Sequence, residues 1–194
     1  MKLLVDEVVE SWEKGGIRTS RSGREVLDTV LRSLDGTARF NATTEKRHSV
    51  LVHSWFVGIM AAEFAPEALK DTARLMGMVH DFGETVVGDF VMPVKSGRVF
   101  GEVYNKYYEP LEAAFRSFVG EKILTINDFD AKFKSVGEYV RRADEYVGEL
   151  ELYGDTLELD DEAERHVEML FDEMDGWVGV GLFRDTLLEL AKTA

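Results

Sequence analysis

Two histidines and two aspartates, spread over three segments of the chain, have side chains of the types that bind a divalent metal. They are His53, His80, Asp81 and Asp144. Imidazole nitrogens and carboxylate oxygens suit Mn²⁺, Co²⁺, Mg²⁺, Zn²⁺ and Fe²⁺, and the sequence does not choose among these metals. Such a set leaves coordination positions open for water and for a substrate, as metal-dependent hydrolysis requires. The four residues therefore predict a catalytic divalent metal ion.

His53 lies in an apolar segment with helical periodicity. On a helix its neighbours three, four and seven positions away are Val50, Phe56, Val57 and Met60, so the imidazole faces the core and not water. For an isolated histidine of this kind, a packed side chain with one hydrogen bond is the favoured explanation. The metal interpretation of His53 therefore depends on its companions.

The segment that begins at His80 reads H-D-x-x-E-x-x-x-G-D-x-x-x-P-V-K. His80 and Asp81 end an apolar run, where a buried carboxylate without compensation is costly and a metal ion would compensate it. Glu84 lies one turn beyond His80, so it shares the face of the metal ligands if the helix continues. Each residue alone could be a helix-ending or surface polar residue, but the whole string is far more specific.

Asp144 is placed by the helical pattern of its own segment at the edge of an apolar stripe. The stripe consists of Val136, Val140, Ala143 and Val147. The alternative is a solvated acid, because the same segment holds several other acidic residues. Read with the two earlier segments, the pattern favours a site to which three helices contribute.

Helical periodicity dominates the chain, and no convincing strand pattern with a period of two is present. The first two predicted helices end at Gly15 and Gly16 and at Gly36. Six more are predicted at about 47–64, from Pro66 towards His80, and at about 99–119, 131–153, 162–174 and 178–191. Residues 37–46 and 89–97 are predicted loops. We therefore expect an all-α fold.

Composition restricts the class of protein. The 194 residues suit a single domain, predicted to span 1–194. A net charge of -14 argues against a nucleic-acid polymer as partner, although a small nucleotide can still enter a local cationic pocket. The absence of cysteine excludes a thiolate nucleophile and a Cys-based zinc site. Acidic residues within the first apolar segment argue against a signal peptide or membrane span, so we expect a cytoplasmic protein with no membrane partner.

From about residue 39 to residue 144 the sequence resembles the HD superfamily of metal phosphohydrolases, whose pattern is H…HD…D. Within it, the chain is similar to the YfbR-like 5′-deoxynucleotidases and to the HD-type deoxynucleoside triphosphatases of phages. The resemblance rests on Arg39 with Phe40, on His53 with Ser54, on the string that starts at His80, and on Asp144. It implies an HD-domain helical bundle that assembles as a homodimer.

The resemblance also implies a role for each matched residue of the reaction centre. His53, His80, Asp81 and Asp144 would hold one divalent metal ion, and Glu84 would orient or deprotonate the attacking water. Two-metal members need additional histidines between the HD pair and the final aspartate. None of the four histidines of this chain lies there, which favours a single metal.

On the substrate side, the resemblance implies that Arg39 grips the phosphate and that Phe40 lies near the base or sugar. Asp89 would touch the nucleoside at its sugar, and Lys95 belongs to the same loop. One departure concerns Val52, which stands where the family usually has glutamate before its first motif histidine. That change removes an expected partner for orienting the metal-binding imidazole.

The implied activity is hydrolysis of deoxynucleotide phosphates, foremost that of a 5′-deoxynucleotidase acting on deoxynucleoside monophosphates. The alternative is a deoxynucleoside triphosphohydrolase, such as a dATPase, that releases intact triphosphate. The same metal and Glu84 would serve either reaction, because only the phosphate pocket differs. A non-catalytic nucleotide sensor ranks below both, since every metal ligand and Glu84 are present.

Overall fold

The structure is a computed structural model that describes residues 3–38, 49–88, 95, 97, 100–153, 160–173 and 177–193. Arg39, Phe40 and Asp89 lie outside the described residues. The described part of the chain is helical and contains no β-strand, and its only bridge joins Ala38 to Ser49. The predicted all-α class is therefore confirmed. The assignment of 1–194 to one domain stays a prediction.

The described helices follow the predicted order closely. The regular α-helices are α1 (Leu4–Trp12), α2 (Gly23–Gly36), α3 (Val50–Phe64), α4 (Lys70–Val79), α5 (Glu84–Val87), α6 (Phe100–Val103), α7 (Glu109–Phe118), α8 (Phe129–Tyr153), α9 (Asp161–Glu168) and α10 (Val180–Thr193). A 3₁₀ turn at Glu67–Leu69 precedes α4. Wider π-type turns occupy Tyr104–Tyr108, Val119–Ile123 and Met169–Glu173.

Helix α3 is the centre of the fold. Its N-cap is Ser49, whose side-chain oxygen accepts a hydrogen bond from the backbone N–H of Val52. Eleven of its fifteen residues are buried, which agrees with a segment that is apolar on every side. Helices α4 and α8 pack against α3 more extensively than any other elements do. The three helices predicted to carry the metal ligands are therefore direct neighbours.

A pair of glycines brings α3 and α4 into backbone contact. A Cβ atom added to Gly77 would lie 2.7 Å from the Cα atom of Gly58, which is shorter than a carbon–carbon contact allows. A Cβ atom at Gly58 would in turn lie 2.9 Å from the backbone oxygen of Arg74. The two glycines thus set the separation between the helix that carries His53 and the helix that ends directly before His80 and Asp81.

The segment predicted as one helix over about 99–119 is interrupted at Tyr104–Tyr108. Pro110 lies in the first turn of α7 and has no N–H, so it cannot bond to the carbonyl four residues earlier. The N–H of Glu109 instead donates to the carbonyl of Tyr104, five residues back. The predicted helix is therefore present, and a π-type turn changes its hydrogen-bond pattern at this point.

Helix α4 does not continue through the HD pair. Residues 80–83 form turns, and the N–H of Glu84 donates to the carbonyl of Asp81 over 2.9 Å. Gly83 lies so close to α7 that a Cβ atom there would be 2.6 Å from the Cβ atom of Glu112. The turn lets Glu84 start a separate short helix directly after the predicted metal ligands His80 and Asp81. Among the described residues, none of the helices combines the length and the apolar character needed to cross a membrane.

Candidate metal centre

His53 is fully buried near the start of α3, as its helical neighbours predicted. Its imidazole faces that of His80, which follows the last residue of α4, and the two ring centroids are 5.4 Å apart. A histidine with no exposed surface requires polar partners on its ring nitrogens. The carboxylates around the two rings provide them.

The inner ring nitrogens and two carboxylates converge on one point. The Nε2 atom of His53 lies 3.1 Å from Oδ1 of Asp144 and 3.6 Å from Oδ2 of Asp81. The Nε2 atom of His80 lies 3.2 Å from Oδ1 of Asp81 and 3.7 Å from Oδ1 of Asp144. The structure therefore brings together all four residues that the sequence grouped.

The outer ring nitrogens have acceptors of their own. The Nδ1 atom of His80 is 2.6 Å from the carbonyl oxygen of Gly77, one turn earlier. The Nδ1 atom of His53 is 2.7 Å from Oε1 of Glu151, which is buried in α8. Since each Nδ1 atom faces an acceptor, a neutral ring carries its hydrogen there and leaves the Nε2 lone pair for a metal. Glu151 was not found by sequence reasoning, although its seven-residue spacing from Asp144 places it on the same side of the helix.

The donor atoms fit a divalent cation. Ligand atoms of His53, His80 and Asp81 all lie within 4.8 Å of one another. The Nε2 atom of His80 is buried, and the polar groups that face it are the carboxylates of Asp81 and Asp144. Two imidazoles with carboxylate oxygens form a donor set that suits first-row divalent metals. These three residues could therefore hold a metal ion, and Asp144 lies next to them.

The charges of the metal-free site favour a cation. Burial alone would lower the pKa of His80, but the carboxylates of Asp81 and Asp144 outweigh it and raise that pKa to about 10. Burial would likewise raise the pKa of Asp144, but hydrogen bonds from His53 and His80 hold it well below its ordinary value. Without metal, a proton on His80 supplies the positive charge that this site stabilises.

Glu84 is buried directly beyond the HD pair, and its Oε1 atom lies 3.4 Å from the Nζ atom of Lys95. The ammonium of Lys95 is also 5.3 Å from the centre of the Tyr104 ring. Burial would lower the pKa of Lys95, but the carboxylates of Glu84 and Glu112 raise it above its ordinary value. Lys95 therefore stays charged beside Glu84.

Three further residues support this arrangement, and none of them was predicted from the sequence. The hydroxyl of Tyr104 donates to Oε2 of Glu112 over 2.6 Å, and both side chains lie beside Lys95. Arg116 donates to the carbonyl oxygen of His80 over 3.1 Å and stacks its guanidinium 4.2 Å from the Phe133 ring centre. Tyr104 precedes Glu112 by eight residues, and the π-type turn lies between them.

A cavity of about 450 Å³ opens beside Lys95. Its lining includes Lys95, Tyr104, Asn105, Glu109, Glu112 and Arg116. A larger groove of about 830 Å³ lies against α10 and contains none of the residues of the metal centre. The smaller cavity is therefore the one that concerns chemistry, because it adjoins the Glu84–Lys95 pair.

The candidate metal centre lies in a part of the chain that matches a known protein family. The sequence profile described as "HD domain" matches residues 31–146, more than half of the chain. The chain belongs to the HD domain family. No curated protein and no solved structure matched it. The four clustered residues, His53, His80, Asp81 and Asp144, all fall within the matched region.

Membership of the family indicates the general chemistry. HD domains bind divalent metals and are generally hydrolases, so this HD domain is expected among the metal-dependent phosphohydrolases. The His53, His80 and Asp81 group is the corresponding place for a metal in the structure. Of the residues predicted to contact substrate, only Lys95 is described, and it contacts Glu84. Roles for Arg39, Phe40 and Asp89 stay predictions, because these residues lie outside the described part of the HD domain.

Proposed function

We propose that this HD domain hydrolyses deoxynucleotide phosphates, with 5′-deoxynucleoside monophosphates as its preferred substrates. The observation that carries the proposal is the convergence of two imidazoles and two carboxylates beside the buried carboxylate of Glu84. Binding of one divalent cation by His53, His80, Asp81 and Asp144 would explain why these groups are packed so closely. Glu84 then lies where an attacking water needs a base.

The chemistry divides between the cation and the residues around it. A divalent metal in this site would polarise a phosphate oxygen and lower the pKa of an adjacent water. Glu84 takes the proton of the water that attacks phosphorus, and the bond from phosphorus to the 5′-oxygen of the nucleoside breaks. The 5′-oxygen leaves as the nucleoside hydroxyl after it takes a proton. No covalent intermediate with the protein is needed.

Lys95 and Arg39 would each stabilise a negative charge in the reaction. The Lys95 ammonium favours the ionised form of Glu84, which is the form that accepts a proton. Arg39 carries a planar guanidinium that would stabilise the charge on the phosphoryl group. The first assignment draws on the 3.4 Å contact between Lys95 and Glu84. The second rests on the family resemblance.

Two features support a monophosphate over a triphosphate. The Gly-Asp…Pro-Val-Lys string resembles the 5′-deoxynucleotidases more closely than the triphosphohydrolases. In addition, the two cations that line the described cavity both serve protein groups: Lys95 contacts Glu84, and Arg116 donates to the carbonyl of His80. A triphosphate would need further cations near the metal to balance its charge.

Product analysis tests the proposal. The purified protein is incubated separately with dAMP and with dATP in the presence of Mn²⁺, Co²⁺ or Mg²⁺, and products are separated by anion-exchange chromatography. We expect nucleoside and inorganic phosphate from dAMP. Release of intact triphosphate from dATP, with dAMP untouched, would replace the proposal by a triphosphohydrolase.

A matched control guards against a contaminating phosphatase. His80→Ala, purified in the same way, should lose both the metal and the activity. Equal activity in this variant would mean that the measured hydrolysis does not arise from the HD domain. Metal binding without turnover of any deoxynucleotide would favour a nucleotide sensor instead.

The state of assembly and the location of the protein stay predictions. A homodimer follows from the family resemblance, and sedimentation of the purified chain would test it. A cytoplasmic location without a nucleic-acid or membrane partner follows from the composition of the chain, whose net charge is -14.

A further inference from the structure

Helix α8 contributes two acidic side chains to one imidazole. Asp144 lies 3.1 Å from Nε2 of His53, on the side that faces the metal ligands. Glu151, two turns later, lies 2.7 Å from Nδ1 on the opposite side. The side chain of Asp144 is 41% exposed, whereas that of Glu151 is 2% exposed. The two acids therefore differ in solvent access although they contact the same ring.

The burial of Glu151 calls for a reason beyond packing. An ionised carboxylate removed from water is costly unless hydrogen bonds or an opposite charge compensate it. A leucine of similar size would fill the same space in this apolar core without that cost. The hydrogen bond to His53 is a contact that such a leucine could not make.

His53 also differs from His80 in the kind of partner that it has. The outer nitrogen of His80 faces the carbonyl of Gly77, a backbone group fixed by helix α4. The outer nitrogen of His53 faces a carboxylate side chain. A carboxylate that accepts from Nδ1–H fixes the ring's tautomer and orientation and makes Nε2 a more basic ligand.

We propose that Glu151 is the positioning residue of the metal centre, which holds the His53 ring with Nε2 directed at the metal. This inference rests on the metal centre of the proposed function but not on the identity of the substrate. It predicts that Glu151 determines metal affinity without contacting either the metal or the nucleotide. The acceptor oxygen matters most, and the negative charge adds to its effect.

Metal affinity of substituted proteins tests the inference. The dissociation constant of Mn²⁺ is measured by isothermal titration calorimetry for the full chain and for Glu151→Leu and Glu151→Gln. We expect Glu151→Leu to weaken binding about 10–100-fold, the range found when outer partners of metal ligands are removed. Glu151→Gln keeps an acceptor oxygen, so it should recover most of that loss. The exposed Glu149 on the same helix supplies the matched control, and Glu149→Leu should bind Mn²⁺ as the unaltered chain does.

A spectroscopic measurement avoids dependence on the folding of a leucine variant. The chain has four histidines, so long-range ¹H–¹⁵N spectra of the Zn²⁺-loaded protein can be assigned ring by ring. We expect His53 to carry its hydrogen on Nδ1, and we expect Glu151→Gln to shift that resonance. A His53 ring with its hydrogen on Nε2 in the loaded protein would overturn the inference.

The outcomes separate the inference from the proposed function. Unchanged Mn²⁺ affinity in a folded Glu151→Leu protein would reject the role of Glu151 and leave the metal centre intact. Equal Mn²⁺ affinity in the unaltered chain and in His80→Ala would reject the metal centre, and the inference with it. Metal binding that depends on Glu151, without hydrolysis of deoxynucleotides, would support the inference and reject the proposed substrate.

Discussion

The ammonium of Lys95 lies 3.4 Å from the carboxylate of Glu84, and the two side chains are 23% and 3% exposed. The proposed base of the reaction is thus a buried carboxylate paired with a more exposed cation. Because two of the proposed metal ligands, Asp81 and His80, lie three and four positions before Glu84, the pair adjoins the candidate metal centre. Substituting Glu84 and Lys95 one at a time therefore tests the role of each residue.

Replacing Glu84 by glutamine should remove turnover and leave metal binding in place. Glutamine keeps the shape of the side chain but cannot accept the proton of the attacking water. We expect kcat to fall by about 10²–10⁴, the usual contribution of a general base. Mn²⁺ affinity measured by calorimetry serves as the control and should remain close to that of the unaltered chain. Full activity in Glu84→Gln would exclude Glu84 as the base.

Replacing Lys95 by methionine should change the pH dependence of the reaction. Loss of a neighbouring cation favours the protonated carboxyl of Glu84, so the acidic limb of kcat/KM should move to higher pH. The measurement is a pH profile of the initial rate at low dAMP concentration. Tyr104→Phe, which removes only the hydroxyl that donates to Glu112, should shift this limb less. If the acidic limb of the Lys95→Met profile stays in place, the ion pair between Lys95 and Glu84 does not control the protonation of Glu84.

Metal affinity should increase with pH in the neutral range. The pKa of His80 is raised to about 10 in the metal-free site, from an ordinary value of 6.5, so a metal must displace a proton. If one proton is displaced, the association constant rises about tenfold for each pH unit below that pKa. Calorimetric titration with Mn²⁺ at pH 6.5, 7.5 and 8.5 in buffers of different ionisation enthalpy measures both the affinity and the proton release.

The sign of the same shift determines how His80 affects the stability of the metal-free protein. A pKa raised on folding stabilises the folded state fully below the unfolded value near 6.5. That contribution is lost as the pH rises towards 10. Saturating metal should remove this loss, because it replaces the proton. Chemical denaturation at several pH values in this range, with and without Mn²⁺, measures this loss of stability. An identical pH dependence with and without Mn²⁺ would contradict the prediction.

Replacing Gly77 by alanine should destabilise the fold at the contact between α3 and α4. The added methyl group would lie 2.7 Å from the Cα atom of Gly58, so the helices must separate. Overpacking of this kind costs about 1–3 kcal/mol. Gly137→Ala in α8 is the control, because a Cβ atom there meets nothing within 4 Å. It should be neutral or stabilising by up to about 1 kcal/mol in urea denaturation. A Gly77→Ala protein as stable as the unaltered chain would contradict the close contact.

Much of the fold and of the metal centre could be predicted from the sequence. Helical periodicity is local, so the segments and the inward orientation of His53 followed from residues within two turns of it. The HD pair and Asp144 followed from a string whose spacing is specific. The π-type turn before Pro110 was not predicted, because a missing N–H changes the hydrogen-bond pattern of a helix without changing its apolar periodicity.

The partners of the site residues were harder to predict. Glu151 contacts His53 across ninety-eight positions of sequence, and no local pattern reports such a pairing. Val52, which replaces an expected glutamate, suggested that the imidazole had lost its orienting acid. The structure corrects that expectation, because the carboxylate of Glu151, from another helix, contacts Nδ1 of the His53 ring. Tyr104 and Glu112 are similar, since they meet across a widened turn that periodicity cannot foresee.

Because Asp144 and Glu151 lie on one helix and contact the same ring, the segment between them tolerates no insertion or deletion of single residues. Each residue inserted between them would rotate Glu151 by about 100° around the axis of α8, away from His53. Substitutions at exposed positions between them, such as Glu145 and Glu149, carry no such consequence. A homologue that pairs a metal-binding histidine in this way should therefore keep the seven-residue interval even where the identities within it have diverged. That interval is a sequence signature by which such homologues could be recognised.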